Sequence, residues 1–333
     1  MGAAATLKKI SIQLNLSIST VSRALKNHPD ISESTKRKVR ELAALMDYEP
    51  NAYAVNLRKN KSNVFGLIVP AISNMFNDSF IAAVETDARK NGYSLIILQS
   101  GDDPAQEAEN LKFCKLNRVD GIFISVVPNS ISADLFQKFR ENKIPIVFFD
   151  IVPDTTDFDT VCVADEEAAT IAAHTIMKYK KKNVLALFGK PDLSITRKRK
   201  AAFLNVFEQE NPGINPRVIF CSNLEETRNA VSPLLKGNAV PDLIFCMSDE
   251  ILIGVMKSIH RAGWRVPEDI AVLTISNGFI PGLFDPEITY IETSGYELGK
   301  LAIKRMMEKM DGQDSSAKSL ILPCRLVEGG SLS

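Results

Sequence analysis

Leu16-Ser17-Ile18-Ser19-Thr20-Val21-Ser22-Arg23-Ala24-Leu25 is the stretch on which the head of this chain turns. Val21, Ala24 and Leu25 recur at helical spacing and Ser17 stands at an N-cap, so a short helix with one apolar face is predicted. Upstream, Leu7, Ile10 and Leu14 predict another short helix over residues 7–14, joined through Asn15 and Leu16, and the pair reads as a helix-turn-helix. Downstream of the Asn27-His28-Pro29-Asp30 loop, Ser32 can cap a third helix that carries Val39, Leu42, Ala43 and Met46 on one side, with Glu33 favourably set against the helix dipole. Three helices then enclose one small core. Tyr48-Glu49-Pro50-Asn51 ends the third helix, and residues 51–58 have length for about two more turns, which need a partner to become ordered.

The charge is divided along the chain. Its 333 residues hold 40 Lys+Arg and 40 Asp+Glu. Residues 1–63 carry 11 basic and five acidic side chains, a net charge of +6, which leaves 29 basic and 35 acidic, or −6, for residues 64–333. A basic head points to a polyanionic partner, from which an acidic body keeps itself apart. No apolar run approaches the roughly 20 residues of a bilayer-spanning helix, and the N-terminus lacks the apolar region of a secretory signal. A cytoplasmic protein without membrane contact is expected. Cys114, Cys162, Cys221, Cys246 and Cys324 form no C-x-x-C pair, and His28, His174 and His260 are far apart, so neither a disulfide framework nor a zinc motif is read, and no cofactor is expected. The absence of a P-loop, G-x-G-x-x-G, H-E-x-x-H or G-x-S-x-G motif argues against an enzyme.

From Val64 onward, apolar strands alternate with amphipathic helices. Strands are predicted at residues 64–69, 94–99, 121–125, 145–150, 183–188, 217–220, 242–246 and 270–275, with a helix over 76–90 that Asn91-Gly92 stops. Such alternation means parallel sheets covered by helices. The irregular stretch 151–160 divides the strands into two α/β lobes, in which ligands bind beyond the carboxyl ends of the strands.

Taken in order, Thr6-Leu7, Leu16 to Leu25, Ile31-Ser32-Glu33-Ser34-Thr35 and Tyr48-Glu49-Pro50-Asn51 resemble the DNA-binding head of the LacI/GalR family of bacterial transcription regulators. The resemblance continues through Gly66-Leu-Ile-Val-Pro70, Ile72-Ser73-Asn74, Arg118-Val-Asp-Gly121, Asp249-Glu250 and Gly263-Trp-Arg-Val-Pro267-Glu-Asp-Ile270, and so spans nearly the whole chain. It implies an all-α helix-turn-helix head, residues 1–49, and a hinge helix, residues 50–61. After them comes a two-lobed α/β effector domain of the type I periplasmic-binding-protein kind, residues 62–333, with crossovers near 151–162, 276–292 and 318–326.

The same resemblance assigns candidate residues. Ile18, Ser19 and Arg23 project near the start of the second helix, the end that meets base edges, and the Arg23 fork suits guanine O6 and N7. Thr6, Ser17, Thr20 and Ser22 are hydroxyls suited to phosphate oxygens, a role compatible with helix capping. In the hinge, Leu57 falls at the leucine that wedges into a base step, with Asn51 and Ala54 close to the backbone. The effector wall comprises Phe76, Asn77, Ser125, Asp150, Arg199, Ser248, Asp249, Ser276 and Thr293. Arg199 could hold a hydroxyl pair or a carboxylate, or belong to the exposed run Arg197-Lys198-Arg199-Lys200.

Two departures from the family pattern concern the ligand. Ser276-Asn277-Gly278 replaces the usual aspartate-bearing turn, and Ser248 stands where Asn is frequent. The variant resembles regulators of carbohydrate use. The expectation is a repressor that binds a pseudo-palindromic operator as a homodimer, without a coiled-coil tail, and senses a carbohydrate or sugar acid; the alternative is a solute-binding protein without DNA function.

Overall fold

A computed structural model describes residues 6–48, 61–153, 157–237, 239–312 and 316–332. The chain forms two compact units, residues 1–62 and 63–333.

The first unit contains α1 (Leu7–Gln13), α2 (Ile18–Leu25) and α3 (Glu33–Leu45). Each begins at a hydroxyl: Thr6 accepts from the Lys9 amide, Ser17 from Thr20 and Ser32 from Thr35. These caps satisfy amides that a helix start otherwise leaves unpaired. Ile10, Val21, Ala24, Val39 and Ala43 form the core, closed by Leu7, Leu14, Leu16, Leu25, Leu42 and Met46 among others. Asn15, Asn27 and Asp47 take the left-handed backbone conformation after the three helices, where Asn and Asp carry the smallest penalty among residues with a side chain.

The second unit is two lobes. In chain order it runs β1 (Val64–Val69), α4 (Met75–Lys90), β2 (Ser94–Gln99), α5 (Pro104–Leu116), β3 (Gly121–Ile124), α6 (Ala133–Glu141), β4 (Ile146–Phe149) and β5 (Asp159–Val163). Then follow α7 (Asp165–Lys178), β6 (Val184–Phe188), α8 (Ser194–Glu210), β7 (Arg217–Phe220), α9 (Leu224–Leu234), β8 (Leu243–Cys246) and α10 (Asp249–Ala262). It ends with β9 (Ala271–Ser276), β10 (Thr289–Glu292), α11 (Gly295–Met310), β11 (Ser319–Leu322) and β12 (Arg325–Val327). Lobe 1 holds an all-parallel sheet in the order β11-β5-β4-β3-β1-β2. Lobe 2 holds β12-β10-β9-β8-β6-β7, parallel except for β12. The central strands β3, β4, β6, β8 and β9 are buried throughout, as strands covered on both faces must be.

The chain passes between the lobes at Ala164, at Thr293–Ser294 and at Pro323–Cys324. The first two lie just beyond the expected 151–162 and 276–292, because β5 and β10 stay paired in their own sheets up to Val163 and Glu292. The first and third passages are bonded together: the Ala164 amide donates to the Leu322 carbonyl (2.9 Å) and Cys324 Sγ to the Ala164 carbonyl (3.6 Å). After β10 the chain re-enters lobe 1, where Leu298, Ala302, Ile303 and Met306 of α11 join the core of Phe65, Phe80 and Phe149. The helices α4 and α11 meet closely, since a Cβ on Gly295 would collide with the Phe76 carbonyl and one on Gly299 would lie 2.7 Å from the Phe80 carbonyl.

All five cysteines are free thiols, and no group of three or more potential metal ligands is found among the described residues. No helix among the described residues is long and apolar enough to cross a membrane.

Candidate functional site

The chain presents two candidate sites, one in each unit. In the head, packing of Val21 and Ala24 inward turns the opposite face of α2 to solvent. Ser19 and Arg23 are exposed and Ile18 is 47% exposed. Arg23 is in no ion pair among the described residues, so its fork is available. Ser17 Oγ accepts from the Thr20 amide (3.0 Å) and meets the hydroxyls of Ser19 (2.7 Å) and Thr20 (2.8 Å). Thr6 caps α1 through the Lys9 amide at 3.3 Å, and Ser22 and Thr20 are part-buried. The arrangement offers an arginine, an apolar side chain and a row of hydroxyls on one solvent face, the chemistry of a helix that reads a major groove. Asn51, Ala54 and Leu57 lie outside the described residues.

In the body, a cavity of about 430 Å³ lies beyond the carboxyl ends of β1, β4, β6, β8 and β9, between the lobes. The structure brings Phe76, Asn77, Asp150, Arg199, Ser248, Asp249, Ser276 and Thr293 together on its wall. Ser125 is not on it: at the end of β3 it is wholly buried, and its amide donates to the Ile68 carbonyl at 3.0 Å. Its hydroxyl is sealed inside lobe 1 and bonds to no described residue.

Arg199 is no member of the exposed run. It sits with Thr196 and Phe203 on the buried face of α8, while Arg197 and Lys198 face solvent. Its Nε and Nη2 both meet Asp165 Oδ1, at 2.9 and 2.8 Å, and Nη1 donates to the Met247 carbonyl at 3.1 Å. Asp165, the first residue of α7, is a partner the sequence reading missed; in the sequence it reads only as an acid in a first turn. Asp150 takes the left-handed conformation (φ 57°) at the end of β4. Burial pushes its carboxyl up to about 7, the nearby Asp165 adds to the rise and Arg199 opposes it.

Asp249 braces the turn after β9. Its Oδ1 accepts from the Ser276 hydroxyl (2.5 Å) and its Oδ2 from the Asn277 amide (3.1 Å), while burial raises its pKa against these two bonds. Ser248 stands at the N-cap position of α10, and Asp249 is its first residue. Asn277, also missed in the sequence, ties the lobes: Nδ2 donates to Ser79 Oγ (3.0 Å) and the Met75 carbonyl (3.3 Å), and Oδ1 accepts from the Gly295 amide (2.8 Å). At the rim, Lys190 of lobe 2 pairs with Asp102 of lobe 1 at 2.9 Å.

A helix-turn-helix head on a body whose two lobes enclose a polar cleft is the make-up of a ligand-responsive DNA-binding regulator. Family models agree in both parts. The model for bacterial regulatory proteins of the lacI family matches residues 6–51, and that for a periplasmic binding protein-like domain matches residues 178–332. The chain is 25% identical over 330 residues to the HTH-type transcriptional repressor CytR of Escherichia coli K12, covering 98% of this chain and 96% of CytR. Its fold matches the lac repressor dimer bound to operator and the anti-inducer ONPF, with a TM-score of 0.87, 20% identity and 99% of each chain covered. It also matches a LacI family transcriptional regulator from Enterococcus faecium with bound ribose, at a TM-score of 0.70 and 18% identity over 81% of this chain and 98% of that one. This chain carries a LacI-family helix-turn-helix domain and a periplasmic-binding-like domain.

Proposed function

We propose that this protein is a repressor whose homodimer binds a pseudo-palindromic operator and whose cleft binds a small, hydroxyl-rich effector. The observation that carries the reading is the exposed face of α2, where Ile18, Ser19 and Arg23 stand together on a head of net charge +6. Arg23 gives two hydrogen bonds to a guanine, Ile18 meets a thymine methyl, and Thr6, Ser17, Thr20 and Ser22 settle on phosphates. Two heads are needed for the two half-sites of a palindrome. Residues 50–61 act as the hinge, with Leu57 as the wedge and Asn51 and Ala54 against the duplex backbone. The similar lac repressor was solved as a dimer on its operator, which supports this assembly.

In the body, Phe76 packs against a sugar face, Asp150 accepts hydroxyls, and Ser248, Ser276 and Thr293 add polar contacts. A relative of the same fold holds ribose, which supports a carbohydrate. The effector changes DNA affinity only in so far as it binds one arrangement of the lobes better than the other.

The test is selection of duplexes from a random library by the full-length protein, followed by binding titrations. A two-half-site consensus is expected, with affinity that falls steeply as salt rises. Arg23→Ala should lose about 1–3 kcal/mol on the selected site and far less on random duplex. Equal losses on both would remove Arg23 from base reading, and failure to select any sequence would leave the body as a solute-binding protein.

A further inference from the structure

The cleft is rich in carboxylates, and the two cations on its wall are already engaged. Asp102, Asp150, Asp249 and Glu250 line it, against Lys190 and Arg199. Lys190 is spent on Asp102 at the rim. Arg199, its side chain 7% exposed, is held by Asp165, 9% exposed, and by the Met247 carbonyl. The guanidinium has five donors, so it retains N–H groups for a ligand, but its charge is balanced before any ligand arrives.

The acids are not balanced in the same way. Asp249 is met by a hydroxyl and an amide, and Glu250 Oε1 by the Asn74 side-chain amide at 3.3 Å. Asp150 is in no ion pair among the described residues. Asn77, 5% exposed, donates through Nδ2 to the Ala71 carbonyl, while its buried Oδ1 accepts from no described residue. Apart from the two engaged cations, the charged groups of the wall are therefore acids, which accept from O–H donors. A carboxylate or phosphate on the ligand would bring a further negative charge into a poorly screened space beside Asp249 and Glu250, with no unbalanced cation to receive it.

We propose that Asp165 sets the charge selectivity of the cleft: by neutralising Arg199 it reserves the site for uncharged polyhydroxylated ligands and excludes sugar acids and sugar phosphates. The inference rests on the cleft being the effector site. Asp165 is a positioning residue, since it acts through Arg199, and its consequence is selectivity between ligands of equal shape and different charge.

The experiment is a thermal-shift and calorimetric panel on the full-length protein, using matched pairs: glucose with glucuronate and glucose 6-phosphate, galactose with galacturonate, ribose with ribose 5-phosphate, and adenosine and cytidine with their monophosphates. Only a ligand that binds the folded form raises the melting temperature. In the wild type, a neutral member is expected to bind at least tenfold more tightly than its anionic sibling. Asp165→Asn frees the Arg199 charge and should narrow or invert that ratio. Asp150→Asn should weaken the neutral ligand while the anion stays excluded, and it serves as the second variant should Asp165→Asn fail to fold. An anionic member that binds the wild type as tightly as its neutral sibling overturns the selectivity and leaves the effector reading standing. Admission of the anion by Asp150→Asn to the extent seen with Asp165→Asn overturns the role of Asp165. No binding by either class overturns the effector reading itself, and the selectivity with it.

Discussion

Burial holds the Asp150 carboxyl protonated up to about pH 7, whereas an unfolded chain releases that proton near 3.8. The native state therefore binds the extra proton between these limits, and the stability this confers is complete below about pH 4 and lost as pH rises to about 7. Asp165 and Arg199 are the charges that act on it, and Cys162 Sγ donates to its backbone carbonyl. In Asp150→Asn that loss disappears, so melting curves of variant and wild type should draw apart in the variant's favour from pH 4 to pH 7. Part of the slope should remain, because burial raises Asp249 in the same sense. A constant difference across that range would count against the raised pKa. At this scale the sequence shows positions and hides partners. Asp150 and Ser276 can be placed because predicted strands end there, whereas Thr293 comes from the family resemblance alone. The Arg199–Asp165 pair spans 34 residues, and nothing in either neighbourhood announces the other. Helical phase does carry a hint: residues 196, 199, 203, 206 and 207 form the buried face of α8, which separates Arg199 from Lys198.

Among the elements, α11 shows what close packing demands. A methyl group on Gly299 would meet the Phe80 carbonyl at 2.7 Å and the Ala83 Cβ at 2.8 Å, both rigid parts of α4. Alanine is otherwise the better helix former by about 1 kcal/mol. Gly299→Ala is nonetheless expected to destabilise the body by about 1–3 kcal/mol, read as a lower urea midpoint, because the two helices must part. A midpoint equal to or above the wild type would mean that α4 yields easily. The longer strands β1, β2, β6 and β9 are legible as apolar runs, and so are the three head helices with their hydroxyl caps. Whereas the equally short β3, β4 and β8 are unbroken apolar runs, the strands β5, β10, β11 and β12 escape a sequence reading, since each mixes polar with apolar residues over only three to five positions. Their pairing comes from the sheet that awaits them: β11 joins β5 across the 159 residues that separate Thr160 from Ser319. An element of that length has no periodicity of its own to display.

At the scale of the molecule, Asn277 holds the lobes in one setting through bonds to Met75, Ser79 and Gly295. Asn277→Ala should widen the distribution of lobe angles, seen as a larger radius of gyration of the ligand-free protein by small-angle scattering, and should weaken effector binding by roughly tenfold, the factor that corresponds to 1.4 kcal/mol. Unchanged scattering and affinity would show that other contacts suffice. The three passages between the lobes stand in a row, because β11 lies beside β5 and β12 beside β10, which puts Pro323–Cys324 between Ala164 and Thr293–Ser294. A single tether would let one lobe swivel freely, and two would let it fold and shear. Three side by side act like the knuckles of a door: they permit a swing about their common line and resist sliding along it. Whatever the cleft binds, the message it can send is an angle.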